Sequence, residues 1–180
     1  MTPAVVAEAN LVKQRVIDLV LANLRYDVQL NLVGPRRELR RLYPGEELPR
    51  SDKAAAAALY AHYAKMRAVS VADKMPQAFW EGPHVLRAMA VYLREPVYVW
   101  DVAPDDTAHA QQYTYKLFDM NNGGRHETGV VEILTDDRIR DILEESFNQR
   151  VIPTMLLLKH TEGHFYGVQH GPTFHAWHAQ

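Results

Sequence analysis

The chain has 180 residues, 47% hydrophobic and 23% charged, the composition of one globular domain large enough to bury its own core. A formal net charge of -2 gives no electrostatic ground for nucleic acid or an anionic membrane as partner. Cysteine is absent, which excludes disulfides and any mechanism that draws a thiolate from this chain.

The first segment predicts a helix. Val5, Ala9, Val12, Val16, Leu19, Val20 and Leu24 recur at three and four, Lys13, Gln14, Arg15, Asp18 and Asn23 fill the other side, and Pro3 suits the first turn. "LVGPRRELRRLYPGEELP" (32–49) reads as a loop with one short helix, in which Arg36, Arg37, Arg40 and Arg41 form a solvated face. "SDKAAAAALYAHYAKMRAVS" (51–70) is a helix capped by Ser51, with Tyr60, Tyr63 and Met66 as its expected buried stripe. A turn at Glu81-Gly82 then leads into a helix from Pro83 to Arg94, with Val85, Leu86, Met89 and Leu93 facing the core and Pro96 ending it.

From Pro96 the character changes to β. "PVYVWDV" reads as a buried strand, "APDDTAHAQQ" as a loop, "YTYKLFDM" as a strand, "NNGG" as a turn and "TGVVEIL" as a further strand. Thr135 caps a helix over "DDRIRDILEESFNQR", with acids early and Arg150 late, the order that suits the helix dipole. "IPTMLLLKH" reads as a buried strand, "TEG" as a tight connection, "HFYGVQH" as its antiparallel partner, and "TFHAWH" as a last strand. The expected fold is α+β, with helices packed on a small, mostly antiparallel sheet in a single domain over 1–180.

No stretch of about 18 apolar residues occurs, so no membrane span is expected. The opening "MTPAVVAEANLVKQR" has no basic region before an apolar core and does not read as a signal peptide, so an intracellular location, cytoplasmic or nuclear, is the expectation. His160, His164, His170, His175 and His178 cluster late, but across a turn and strands, which does not give two ligands on one helix face; no metal site is expected. HExxH, Walker, EF-hand and GxSxG patterns are absent, and no cofactor is implied. His164, at the start of a strand, could serve as a general base or be one more histidine on a sheet. A base needs a nucleophile, and the three serines, Ser51, Ser70 and Ser146, stand at or inside helices.

"FWEGPHVLRAMAVYLREPVYVW" (79–100) resembles the aromatic-glycine turn, helix and strand of the ovarian-tumour (OTU) cysteine proteases, which are deubiquitinases. Trp80, Gly82, Leu86, Ala88 and Ala90 fall on that pattern, with Val97 and Val99 in the strand. "IPTMLLLKHTEGHFYGV" (152–168) resembles the family's closing hairpin, and "LVKQRVIDLVLANLRYD" (11–27) the helix that follows the nucleophile helix. The resemblance implies a papain-like OTU fold, here incomplete. It implies that His164 holds the general-base position and that Trp80, Gly82, Phe165 and Tyr166 belong to the binding region, with Trp80 close to the hairpin. The family's nucleophile stands in an Asp-Gly-x-Cys turn some tens of residues before Val12, where this sequence has neither Asp-Gly nor cysteine. The third catalytic member falls on Tyr166, which is neither a carboxylate nor an amide.

Three readings follow from the residues and the resemblance. The first is a catalytically inactive OTU-like domain that binds ubiquitin or a ubiquitin-like protein. The second is a deubiquitinating cysteine protease whose nucleophile segment lies outside this chain. The third is an unrelated α+β interaction domain. Without the family's central helix, apolar surface should be uncovered on residues 4–26 and on Met155 to Leu158. That surface could be filled by residues 4–12, helical and packed, or covered in a homodimer.

Overall fold

The computed structural model describes residues 2–74, 76, 82–103, 105, 107–159 and 164–167, and of Lys159, His164, Phe165 and Gly167 the backbone only. Four helices precede the sheet: α1 (Pro3–Gln29), α2 (Pro35–Leu42), α3 (Asp52–Ala68) and α4 (Pro83–Leu93). Strands β1 (Val97–Val102), β2 (Ala108–Asp119) and β3 (Arg125–Leu134) follow, then α5 (Asp136–Gln149), β4 (Thr154–Lys159) and β5 (His164–Gly167). The sheet runs β3-β2-β1-β4-β5, antiparallel except where β1 lies parallel to β4. This is an α+β architecture with a mostly antiparallel sheet.

Local chemistry sets the helix ends. Thr2, Ser51 and Thr135 accept at their side-chain oxygens from Val5, Ala54 and Arg138 N–H, supplying partners that the first turn lacks. Arg94 and Arg150 close α4 and α5 in the left-handed conformation. Between β2 and β3 the chain turns at Gly123, whose φ of 75° is open to glycine at little cost.

Two apolar clusters meet on α4. One joins Val16, Ile17, Val20 and Leu24 of α1 to Leu39, Leu59, Tyr63, Met66, Val85 and Ala88. The other seats Leu86 and Ala90 of α4 on Val97, Val99 and Tyr113 of the sheet. α5 approaches the opposite sheet face near Tyr98. Ile142 is that helix's one buried residue, and Tyr98, out of phase with Val97 and Val99, feels the charges of Arg138 and Glu145.

Several sequence expectations are corrected. Residues 108–112 are not a loop but the first half of β2, because β1 offers them a full ladder from Val97↔Tyr113 to Val102↔Ala108. In α3, Tyr60 is 51% exposed, and the buried stripe is Ala55, Leu59, His62, Tyr63 and Met66. Leu93, at the end of α4, is exposed. β4 sits inside the sheet order, yet Met155, Leu156, Leu157 and Leu158 are only half-buried. Residues 4–12 are helical, but Val5 and Leu11 are exposed. Polar ties hold this end of α1: Asn10 Nδ2 donates to Ser70 Oγ at 3.1 Å, Asn10 Oδ1 accepts from Val71 N at 2.9 Å, and Lys13 Nζ donates to the Met66 and Val69 carbonyls. The expected strand "TFHAWH" lies outside the described residues.

Candidate functional site

β1 and β4 run parallel, so their carboxyl ends share one end of the sheet, and the hairpin brings the start of β5 back to it. Val102, Lys159 and His164 occupy one register row; Asp101, Leu158 and Phe165 occupy the next. His164 is therefore two strands from β1, about 10 Å by strand spacing, and one row out of phase with Asp101. Asp101 Oδ2 accepts from Gln111 Nε2 at 2.9 Å, and Gln111 Oε1 accepts from the Tyr113 hydroxyl at 2.6 Å. Burial and the charge of Asp101 push the Tyr113 phenol up to about 12, so it stays a neutral donor. Sequence reading passed over Asp101, although an aspartate inside a β-branched run runs against strand preference.

A second group gathers at the amino end of α4. Gly82 is its N-cap, with no side chain to cap the helix and with the Arg41 guanidinium in the space of a Cβ: a methyl there would lie 2.9 Å from Arg41 Cζ. Arg41 is held by Glu38, through Nε at 3.2 Å and Nη2 at 2.5 Å to Oε1. Glu38 Oε2 lies 3.2 Å from Nε2 of His84, in the first turn of α4. Burial would raise the Glu38 carboxyl, but the hydrogen bonds from His84 and Arg41 outweigh it and hold it down at about 2. Beside it, burial pushes the His62 imidazole down to about 4, and its Nδ1 lies in hydrogen-bond contact with the Tyr43 hydroxyl at 2.9 Å. Burial and the Glu38 charge together push the Tyr63 phenol up.

A third group links α1, α4 and the outer strand. Arg87 donates through Nη2 to Asp27 Oδ2 at 2.8 Å, through Nε to the Gly129 carbonyl at 2.7 Å and through Nη1 to the Leu32 carbonyl at 3.2 Å. His126 Nε2 lies 3.2 Å from Asp27 Oδ1, and its ring stacks at 4.8 Å on Tyr26. Nothing in the periodicity of α1 or α4 marks Asp27 and Arg87 as buried; only their meeting makes burial tolerable.

The chemistry of these groups is constrained. Glu38 is held as an anion with both oxygens engaged, and both oxygens of Asp27 are engaged by Arg87 and His126, so both groups read as structural anchors. Ser51 Oγ caps α3, Ser70 Oγ bonds Asn10 and Ala72, and Ser146 lies in α5. No serine is thus seen paired with a histidine among the described residues. Among those residues, no group of three metal-ligating side chains occurs and no helix is long and apolar enough to cross a membrane.

Of the residues singled out from the sequence, Gly82 lies under Arg41, while His164 and Phe165 lie in β5 at the hairpin. Tyr166, 38% exposed, pairs across β4 Leu157 with Trp100 of β1. Trp80 lies outside the described residues, as do His160, His170, His175 and His178. No protein-family model, curated protein or solved structure matches this chain.

Proposed function

We propose that this chain is the scaffold of an OTU-like domain that binds ubiquitin or a ubiquitin-like protein without cleaving it. One observation supports the reading. Two of the three stretches that carry the resemblance, 79–100 and 152–168, are far apart in sequence, yet β1 of the first lies beside β4 of the second, and β4 beside β5. A strand fed by a helix and flanked by a closing hairpin is the arrangement that the resemblance implies. Tyr166, at the exposed end of the Trp100–Leu157–Tyr166 row, is the contact residue favoured by this reading. Absence of cysteine removes the thiolate, and a general base at His164 has nothing to activate.

The test is titration of the chain into isotopically labelled ubiquitin. Shifts of a contiguous surface, weakened by Tyr166→Ala, are expected; no shift at millimolar chain would overturn the reading. Fluorogenic ubiquitin should not be turned over. Turnover that is lost in His164→Ala would mean that another side chain acts as nucleophile.

A second reading, a cysteine protease completed by a thiol-bearing segment outside this chain, is favoured by the half-buried state of Leu156 and Leu158. These partly buried leucines pack at the margin of the α4 cluster, where a further helix would cover them. Coding sequence upstream that contains Asp-Gly-x-Cys would favour this reading over the first.

A further inference from the structure

The turn between β2 and β3 holds the chain's one asparagine that is followed by glycine, Asn122-Gly123. Residues 121–125 are all exposed, and a Cβ at Gly123 would meet nothing within 4 Å, so the space at this residue is open. Asn122 Oδ1 accepts from Gly124 N at 3.2 Å. That bond spans the Gly123 peptide and folds the carboxamide over it, which brings Asn122 Cγ towards the Gly123 nitrogen. The same N–H draws charge onto Oδ1, where negative charge develops when the carbonyl is attacked. Gly123 N itself donates to the Met120 carbonyl at 2.9 Å. This bond closes over a few exposed residues, so water replaces it at small cost.

We infer that Asn122 is a site of spontaneous deamidation, with the Gly123 nitrogen as nucleophile and water as co-reactant. Gly123 N gives its proton to solvent base and bonds to Asn122 Cγ. The bond from Cγ to Nδ2 breaks, and Nδ2 leaves as ammonia with a proton from solvent. Water then opens the succinimide. Opening at Cγ gives aspartate; opening at the Asn122 main-chain carbonyl carbon gives isoaspartate.

Other asparagines lack this arrangement. Asn10, Asn23 and Asn148 lie inside helices and precede leucine or glutamine, Asn31 precedes Leu32, and Asn121 precedes Asn122. Either product changes the hairpin tip. Aspartate adds a carboxylate near Asp119 and Arg125, which already pair at 3.3 Å. Isoaspartate inserts a methylene into the main chain and misaligns the bond from Met120 N to the Gly124 carbonyl, now 2.8 Å. His126, just beyond the turn, is buried and held by Asp27, so the loosening stops there. This inference is independent of the family resemblance.

The experiment ages the whole folded chain in mildly alkaline buffer and maps its peptides by mass spectrometry. Conversion of amide to carboxyl is expected at Asn122, faster by about tenfold or more than at any other asparagine. An isoaspartyl methyltransferase should methylate the aged turn peptide and not the fresh one. Gly123→Ala should slow conversion by about tenfold, since the methyl crowds the attacking nitrogen. A φ of 75° strains alanine there. Should that variant fail to fold, Asn122→Gln keeps an amide but lengthens the ring that must close, and should show the same slowing. Amide exchange in the aged chain should quicken at Met120 and stay unchanged past His126. Conversion at Asn122 no faster than elsewhere, absence of isoaspartate, or undiminished conversion in the variants would overturn the inference. Quickened exchange past His126 would overturn the confinement to the tip.

Discussion

Arg87 and Asp27 meet with Nη2 and Oδ2 at 2.8 Å, both side chains more than nine-tenths buried, although one stands on α4 and the other near the end of α1. This pair fastens the helical layer to the sheet, because the same guanidinium also holds the Gly129 carbonyl of β3. Removing one member leaves the other charged and buried, whereas replacing both by apolar groups of similar size can be nearly neutral. Arg87→Met should therefore cost about 3–5 kcal/mol, and Arg87→Met with Asp27→Leu clearly less than the sum of the single changes. Chemical denaturation of the four proteins measures this coupling directly.

Gly129 and Gly82 should respond differently to the same added methyl group. A Cβ at Gly129 would stand 2.6 Å from the Arg87 backbone carbonyl carbon, where only separation of α4 from β3 gives relief. Gly129→Ala is expected to cost about 3 kcal/mol, at the upper end for overpacking. At Gly82 the obstruction is the end of the Arg41 side chain, which can swing away and forfeit its ion pair with Glu38. Gly82→Ala should cost about 1 kcal/mol, and a melting comparison that finds the reverse order would contradict the packing described.

Stability should fall with acid in two windows. His62 has a folded pKa of about 4, below its ordinary 6.5, so the unfolded chain takes up a proton first. The stabilisation from a neutral His62 is fully present above pH 6.5 and is lost as pH falls to about 4. Glu38, at about 2 against 4.5, adds a second loss below pH 4.5. His62→Gln should flatten the upper window while leaving the lower one, as read by denaturation midpoints at stepped pH.

At the amino end of α1 the polar ties should outweigh the apolar residues. Asn10→Ala removes two hydrogen bonds to the end of α3 and should cost about 1–2 kcal/mol. Val5→Ser, at a side chain that is 50% exposed, should stay within about 0.5 kcal/mol of the parent. A larger effect at Val5 than at Asn10 would indicate that this end is covered by another surface in solution.

Much of the fold is legible in the chain because its signals are local. The caps at Ser51 and Thr135, the prolines that open α1, α2 and α4, and the glycine turn before β3 act within a few residues. The closing hairpin was readable for the same reason: an aliphatic run, a short turn and an alternating return. Residues 108–112 were not, since Ala108 to Gln112 have weak strand preference and are strand because β1 and, from Ala110 on, β3 lie alongside. The half-covered state of β4 likewise depends on which helices reach it, and three consecutive leucines cannot report that.

The candidate site divides along the same line. His164 could be picked from the residues before and after it. Its place level with Val102 and one row from Asp101 depends on β1 and β4 running side by side. Buried charge was least legible. Asp27, Glu38 and Arg87 resemble surface residues in sequence, and burying any one of them alone would be prohibitive. Tertiary structure alone decides their fate, because it supplies each with an opposite charge or a carbonyl from a distant element, and a partner's position is written in no local pattern.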